Sequence, residues 1–386
     1  MTSSPDRATA LLARIESFAR QRVAPTAATR DREGRFDRAL WAELGGTGLL
    51  GALLPEKEGG LGLDFGTTAE ALYSLARVGG DLSLCISLTP ALSLINLTLG
   101  RLGTADQKRR FLPGLISGVC VPAVAFSELP HGANPKHLAT RAARSEETWT
   151  IDGRKAFSTN GTEADLYLVL AVTSERDGRK GFSTFFVERK TPGVKVEERM
   201  AIDFVRAAPH AILSFTGCKV PEVNRVGTLD GAIDETSRTL RDGEDALGAS
   251  TLAGHFARIV ALAAAHTRSA VEKDPETAAA LGDLQVAASQ ARLQATEVAG
   301  LWEARITAAG EEQENKDALH TALLAGRAIT ERFTARLDFL LGDAPPEAGS
   351  DLERALRDMA LSRIGGGVAK RQLQRLGERL VARERD

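Results

Sequence analysis

The period of the hydrophobic pattern changes twice along the chain, and this constrains the fold more than any single residue does. From Met1 to about Val119 apolar residues recur every three to four positions, as in "ATALLARIESFA", "RALWAELGGTGLLGALL" and "TAEALYSLARVG", with Gly and Pro stops between runs. From about Cys120 to Val226 the runs shorten and alternate in twos: "VPAVAF", "TWTIDGRKAFST", "LYLVLAVT", "GFSTFFVE", "KVEER" and "AILSFTGCKV". From about Leu229 to Asp386 helical spacing returns in long alanine-rich stretches, which pack closely and favour a four-helix-type bundle. All-α, then all-β, then all-α predicts an α+β arrangement of segregated elements. Its boundaries are an N-terminal helical domain over 1–119, a central antiparallel β domain over 120–228 and a C-terminal helical bundle over 229–386.

With 386 residues, 43% of them hydrophobic, the chain can build two or three cores. Its 49 basic and 51 acidic residues leave a net charge of −2, so no global field attracts nucleic acid or an anionic membrane. Cys85, Cys120 and Cys218 are far apart in apolar surroundings, and neither a CxxC nor a Cys/His cluster occurs. The expectation is free thiols in a reducing, cytoplasmic setting and no metal. The opening "MTSSPDRATALLARIESFARQ" reads as a capped amphipathic helix, since it lacks the apolar core of a targeting signal. Leu82 to Leu99 carries no charge over 18 residues, the minimum for a membrane span. Pro90, Asn96 and its serines argue instead for two buried core segments meeting near Pro90.

"SRIGGGVAKRQLQR" sets Gly365, Gly366 and Gly367 between two helical stretches. Each glycine costs a helix interior about 1 kcal/mol relative to alanine, so the triplet either breaks a helix or admits something close to the backbone. No Gly-Lys-Ser/Thr follows and no apolar strand precedes, so neither the P-loop nor the dinucleotide fingerprint fits.

Six stretches, in order, carry a resemblance: "LPEKEGGLGLDFGT", "RLGTADQKRRFLPGLISG", "AFSELPHGAN", "TWTIDGRKAFSTNGTEADLYLVLAVT", "GFSTFFVE" and "LSFTGCKVPEVNRVG". Over essentially its whole length the chain resembles the acyl-CoA dehydrogenases. The resemblance implies an N-terminal helical domain, a central β-barrel and a C-terminal four-helix bundle, with flavin adenine dinucleotide (FAD) between the β domain and the C-terminal helices. It further implies an acyl thioester substrate on coenzyme A or a carrier protein. A glutamate takes the α-proton, the β-hydride passes to flavin N5, and an electron-transferring flavoprotein accepts the electrons. By the same resemblance Ser127, with backbone near Phe126, meets the flavin pyrimidine edge. Phe157, Ser158 and Thr159 form the strand along the isoalloxazine ring near N5. Gly132 and Ala133 fall at the diphosphate, Ala133 standing where the family has serine.

Other positions depart from the family pattern. An arginine-bearing stretch that reaches a neighbouring subunit's cofactor is replaced by "EKDPETAAALGDLQ", residues 272–285. A Gln-x-x-Gly-Gly element appears as Phe339, Leu340, Leu341, Gly342 and Asp343, and carboxylates near a pyrophosphate repel it. Gly366 stands at the usual base, where only a backbone N–H remains for the thioester oxygen, and Gly365 stands at a tyrosine. Some members place the base earlier, ten residues before a helix glycine. Glu244 lies ten residues before Gly254 and so falls on that position, with Asp245 beside it where the family has arginine. A carboxylate neighbour raises the proton affinity of Glu244. The three carboxylates of "RDGEDA" also fit a solvated acidic turn, and that reading stays open. Two functions follow: an active dehydrogenase using Glu244, or a flavin-poor subunit supporting an active partner in a hetero-oligomer. A different thioester reaction without net oxidation is a third.

Overall fold

A computed structural model describes residues 4–307, 312–342, 345–363, 373–374 and 376–378. Helices come first: α1 (Ser4–Phe18), α2 (Ala24–Glu33), α3 (Arg38–Gly45), α4 (Phe65–Ser74), α5 (Leu82–Leu92), α6 (Gly100–Leu102) and α7 (Ala105–Ile116). Eight strands follow: β1 (Pro122–Ala125), β2 (Arg141–Ser145), β3 (Thr148–Thr159), β4 (Leu166–Arg176), β5 (Arg179–Glu188), β6 (Val194–Arg199), β7 (His210–Pro221) and β8 (Arg225–Val226). The chain then returns to helix in α8 (Thr239–His266), α9 (Arg268–Val271), α10 (Pro275–Thr307), α11 (Glu312–Leu341) and α12 (Asp351–Asp358). These elements group into two units, residues 1–64 with 83–244, and residues 65–82 with 245–386.

In the first unit, local chemistry sets the helix starts. The Asp37 carboxylate accepts the amides of Ala39 and Leu40, each at 3.1 Å, capping α3. Thr104 and Gln107 form a reciprocal capping box on α7, and the Gln107 side chain also donates to the carbonyls of Val223 and Arg225 at 2.8 Å. That one glutamine ties the helix to the end of the β region.

Pro90 does not divide two segments, as the sequence suggested; helix runs unbroken from Leu82 to Leu102. Proline removes one amide donor from the ladder, and the turns widen to the i→i+5 type over Ser93–Leu99, where Asn96 Nδ2 donates to the carbonyls of Leu92 and Leu50 at 2.9 Å. Leu82–Leu102 and Ile233–His266 are long and apolar enough to cross a membrane, yet 83% and 61% of their apolar windows are buried inside the protein, as core helices are.

The sheet runs β6-β7-β3-β2-β4-β5-β8, with β1 against β4. Its long ladders are antiparallel, whereas β4 pairs with β1 and β2 in parallel. Inward residues Trp149, Ile151, Tyr167, Val169, Phe185, Leu213 and Phe215 form its core. Leu166 to Val172 on β4 are buried at every position, so this strand is covered on both faces.

In the second unit the buried residues of α10 read Ala280, Leu284, Ala287, Ala288, Ala291, Ala295, Val298, Ala299 and Trp302, a continuous three-and-four spacing. Those from Ala280 to Ala295 share one core with residues of α8, α11 and α12, within which Phe256 and Phe333 stack at 4.0 Å. Small side chains let backbones approach: a Cβ on Gly254 would lie 2.3 Å from the Tyr73 carbonyl oxygen. His255 Nε2 donates to the Ala355 carbonyl at 2.9 Å and joins α8 to α12.

Candidate active site

The "AFSE" and "KAFSTN" segments, 29 residues apart in sequence, are locked side by side. Ala156 N donates to the Ser127 carbonyl at 2.8 Å, and Lys155 Nζ donates to the Phe126 carbonyl at 3.1 Å and to Glu128 Oε1 at 2.8 Å. Glu128 also accepts from Ala139 N, Thr140 N and Thr140 Oγ1, at 2.8, 3.1 and 2.7 Å. Burial pushes the Lys155 ammonium down to about 8 against the pull of Glu128. Burial pushes the Glu128 carboxyl up, but Lys155 and the donors from residues 139 and 140 outweigh it and hold it below the usual carboxylate value. With four donors on the carboxylate the pair stays ionised, and it fixes the backbone that carries Phe126 and Ser127.

A bulge in β3 aims the next three residues. The β3–β7 register slips between Lys155 and Ser158, opposite Leu213 and Ala211, and Phe157 takes φ +55°. Phe157 is 47% exposed, Ser158 is buried and Thr159 half-buried. The Ser158 hydroxyl points into the protein with no hydrogen-bond partner, so of these three predicted cofactor residues Phe157 and Thr159 offer accessible side chains and Ser158 does not. Phe157 N is satisfied by Met200 Sδ at 3.4 Å.

At the other end of the segment, Gly132 has φ +63° and open space where a Cβ would stand. Its N–H is committed to the Glu128 carbonyl at 2.7 Å, while among the described residues no backbone carbonyl accepts from the amides of Ala133 and Asn134. His131 and His137 stack beside it at 4.1 Å.

Sequence reasoning missed three residues here. Lys155 and Glu128 passed unassigned because nothing local links positions 27 residues apart. His210 lies opposite Thr159 in the β3–β7 register, its Nε2 3.1 Å from Thr159 Oγ1 and its Nδ1 2.9 Å from the Ala208 carbonyl. The signal for it was one histidine opening an otherwise apolar alternating strand, "HAILSF".

Glu244 is half-buried near the start of α8, and Asp245 is exposed. In the second unit, Asp245 lines a cavity of about 600 Å³ with Leu252 and Phe256 on its apolar lining and Gln294, Arg327 and Glu331 among its polar groups. The acidic segment 272–285 has local work: Asp274 accepts the amides of Glu276 and Thr277 at the start of α10, and Asp283 pairs with Arg332 and Arg336 of α11. Gly365, Gly366, Gly367 and Asp343 lie outside the described residues.

The donor set fits a flavin. Phe157 exposes an aromatic ring on the strand that also carries the half-buried Thr159, and Ser127 lies on the segment clamped beside that strand, residue types that suit a flat ring with polar edges. Gly132 leaves room for backbone to approach a diphosphate.

Sequence models described as acyl-CoA dehydrogenase N-terminal domain and acyl-CoA dehydrogenase middle domain match residues 5–119 and 123–218. The chain is 32% identical over 240 residues to a short-chain specific acyl-CoA dehydrogenase of Megasphaera elsdenii, covering 61% of this chain and 62% of that one. It is 32% identical over 193 residues to an L-prolyl-[peptidyl-carrier protein] dehydrogenase of Pseudomonas fluorescens, covering 50% and 51%. The chain thus spans 62% of the length of the first curated relatives it matches. The solved butyryl-CoA dehydrogenase from Megasphaera elsdenii superposes with a TM-score of 0.87 at 25% identity, over 99% of this chain and 100% of that one.

Proposed function

Because the chain belongs to the acyl-CoA dehydrogenase family, we propose that it removes hydrogen across the α,β-bond of an acyl thioester, with FAD as cofactor. The observation that carries this reading is the clamp between residues 126–128 and 155–156, which brings Ser127 to the strand bearing Phe157 and Thr159. Phe157 would lie along the ring, Thr159 and Ser127 would bind its polar edges, and the amides of Ala133 and Asn134 would meet the diphosphate. FAD, when bound, supplies the acceptor for the electron pair that leaves the acyl chain with the β-hydrogen.

Glu244 is the candidate base: its carboxylate takes the α-proton as the α-carbon–hydrogen bond breaks. The backbone N–H of Gly366 would hold the thioester oxygen against the charge that develops there. The acyl carrier is coenzyme A or a carrier protein, the latter supported by the likeness to the L-prolyl-[peptidyl-carrier protein] dehydrogenase. An electron-transferring flavoprotein is the proposed electron acceptor, a homo-oligomer the proposed assembly and the cytoplasm the proposed setting.

A second reading, a flavin-poor subunit that supports an active relative, draws on residues 272–285, where Asp274 and Asp283 are engaged within the helices and no arginine is present. One experiment separates the two. Protein incubated with excess FAD and desalted should keep a bound-flavin spectrum, and Glu244→Gln should keep it too while losing acyl-thioester-dependent bleaching by about 10²- to 10⁴-fold. A protein that stays colourless supports the second reading. Bleaching by Glu244→Gln at the wild-type rate removes Glu244 as base.

A further inference from the structure

We propose that His210 is a positioning residue that sets, according to its protonation, the direction of the Thr159 hydroxyl hydrogen bond, and through it what Thr159 presents to a flavin edge laid along β3. The proposal rests on the functional reading above for the flavin, and on two contacts for the switch.

The tautomer follows from the partners. A carbonyl only accepts, so at 2.9 Å from the Ala208 oxygen Nδ1 carries the proton. Neutral His210 therefore has a bare Nε2, and at 3.1 Å the Thr159 hydroxyl must donate to it. The one hydroxyl proton is then spent on the imidazole, and Thr159 can offer a ring only its oxygen lone pairs. Protonation reverses this: Nε2–H donates to Thr159 Oγ1, and the hydroxyl proton is free to point elsewhere. A flavin ring nitrogen that accepts a hydrogen bond when oxidised and donates one when reduced distinguishes these two states.

Thr159 faces the imidazole from β3 and the Ala208 carbonyl from the preceding turn, and Arg199 of β6, opposite Ala211 in the register, is the charged group that acts on it. Arg199 itself donates to the Arg206 carbonyl at 2.8 Å. Burial lowers the proton affinity of His210, the Ala208 carbonyl raises it and Arg199 lowers it, leaving the imidazole below its ordinary value of 6.5 and neutral at pH 7.

The test has two parts. With the protein's six histidines labelled at the ring nitrogens, NMR of the protein without added flavin should show one resonance pair with the proton on Nδ1 at neutral pH, absent in His210→Gln. The dissociation constant for oxidised FAD should then fall about 2- to 10-fold as the pH drops through that titration, the worth of one hydrogen bond. His210→Gln and Thr159→Val should lose this pH dependence, whereas Thr159→Ser should keep it. A proton on Nε2 at neutral pH, or FAD binding with the same pH dependence in wild type and His210→Gln, overturns the proposal alone. Failure to bind FAD at any pH overturns the functional reading and this proposal with it.

Discussion

Lys155 Nζ lies 2.8 Å from Glu128 Oε1 with the lysine side chain wholly excluded from solvent. A buried charge stripped of its partner costs roughly 3–5 kcal/mol, because what remains is neither solvated nor paired. Glu128→Ala should therefore lower the unfolding free energy by about that amount in urea titrations. Glu128→Gln combined with Lys155→Met should lose less than the sum of the single changes, by about 0.5–3 kcal/mol. Strict additivity would show that the two side chains are not coupled.

Glu128 also fixes the sign of an acid effect. Its carboxyl titrates lower in the folded protein than in the unfolded chain, so its stabilisation is present above the unfolded value and is lost as the pH falls through the lower folded one. Melting temperatures of wild type and Glu128→Gln should converge in that acid range and diverge above it.

His255 sets a second window. Burial first, then Arg258 and Arg354, push its imidazole from 6.5 down to about 4 despite the bond to Ala355. Between those two values the unfolded chain binds a proton that the folded one refuses, so stability falls as the pH drops from 6.5 toward 4, by on the order of 3 kcal/mol. His255→Gln should flatten that slope in calorimetric scans. An unchanged slope would assign it to other groups.

Gly254 and Gly282 both sit inside helices and should respond oppositely to alanine. A Cβ at Gly254 would meet the Tyr73 carbonyl oxygen at 2.3 Å, so Gly254→Ala should destabilise by about 1–3 kcal/mol. At Gly282 nothing lies within 4 Å, and Gly282→Ala should stabilise by about 0.5–1 kcal/mol. Denaturant midpoints of the two variants test both signs.

Asp274 gives a prediction about a departure from the family pattern. Its carboxylate accepts two amides at the start of α10, so Asp274→Ala should cost about 0.5–2 kcal/mol, and Asp274→Asn much less. A cap lost without effect on the melting curve would return Asp274 to the status of an exposed charge.

The stripe from Ala280 to Trp302 and the alternation of Trp149 and Ile151 were legible because helix and strand periods are local properties of the sequence. Ser127, Phe157 and Thr159 were singled out through a resemblance carried by neighbouring motifs, and their role at a flavin is a proposal. The bulge that exposes Phe157 was not, since it places a bulky residue at φ +55° where the usual signal would be a glycine. Lys155 carries no local sign of a role, because its partner Glu128 lies 27 positions away and only the fold brings the two together. Pro90 reads as a helix stop, and only the widened turns after it let the helix continue. For Lys155 the deciding partner is tertiary, whereas for Phe157 and Pro90 it is a departure from regular backbone geometry.

The doubly covered strand β4 has a consequence for the chain before it is folded. "LYLVLAV", Leu166 to Val172, offers seven uncharged, mostly apolar residues whose neighbour β5 is made later, and both strands must find each other before another copy finds either. Renaturation yield should therefore drop steeply with protein concentration. Expression should suffer most when synthesis outpaces pairing, a hazard that comes from the centre of the sheet rather than its rim.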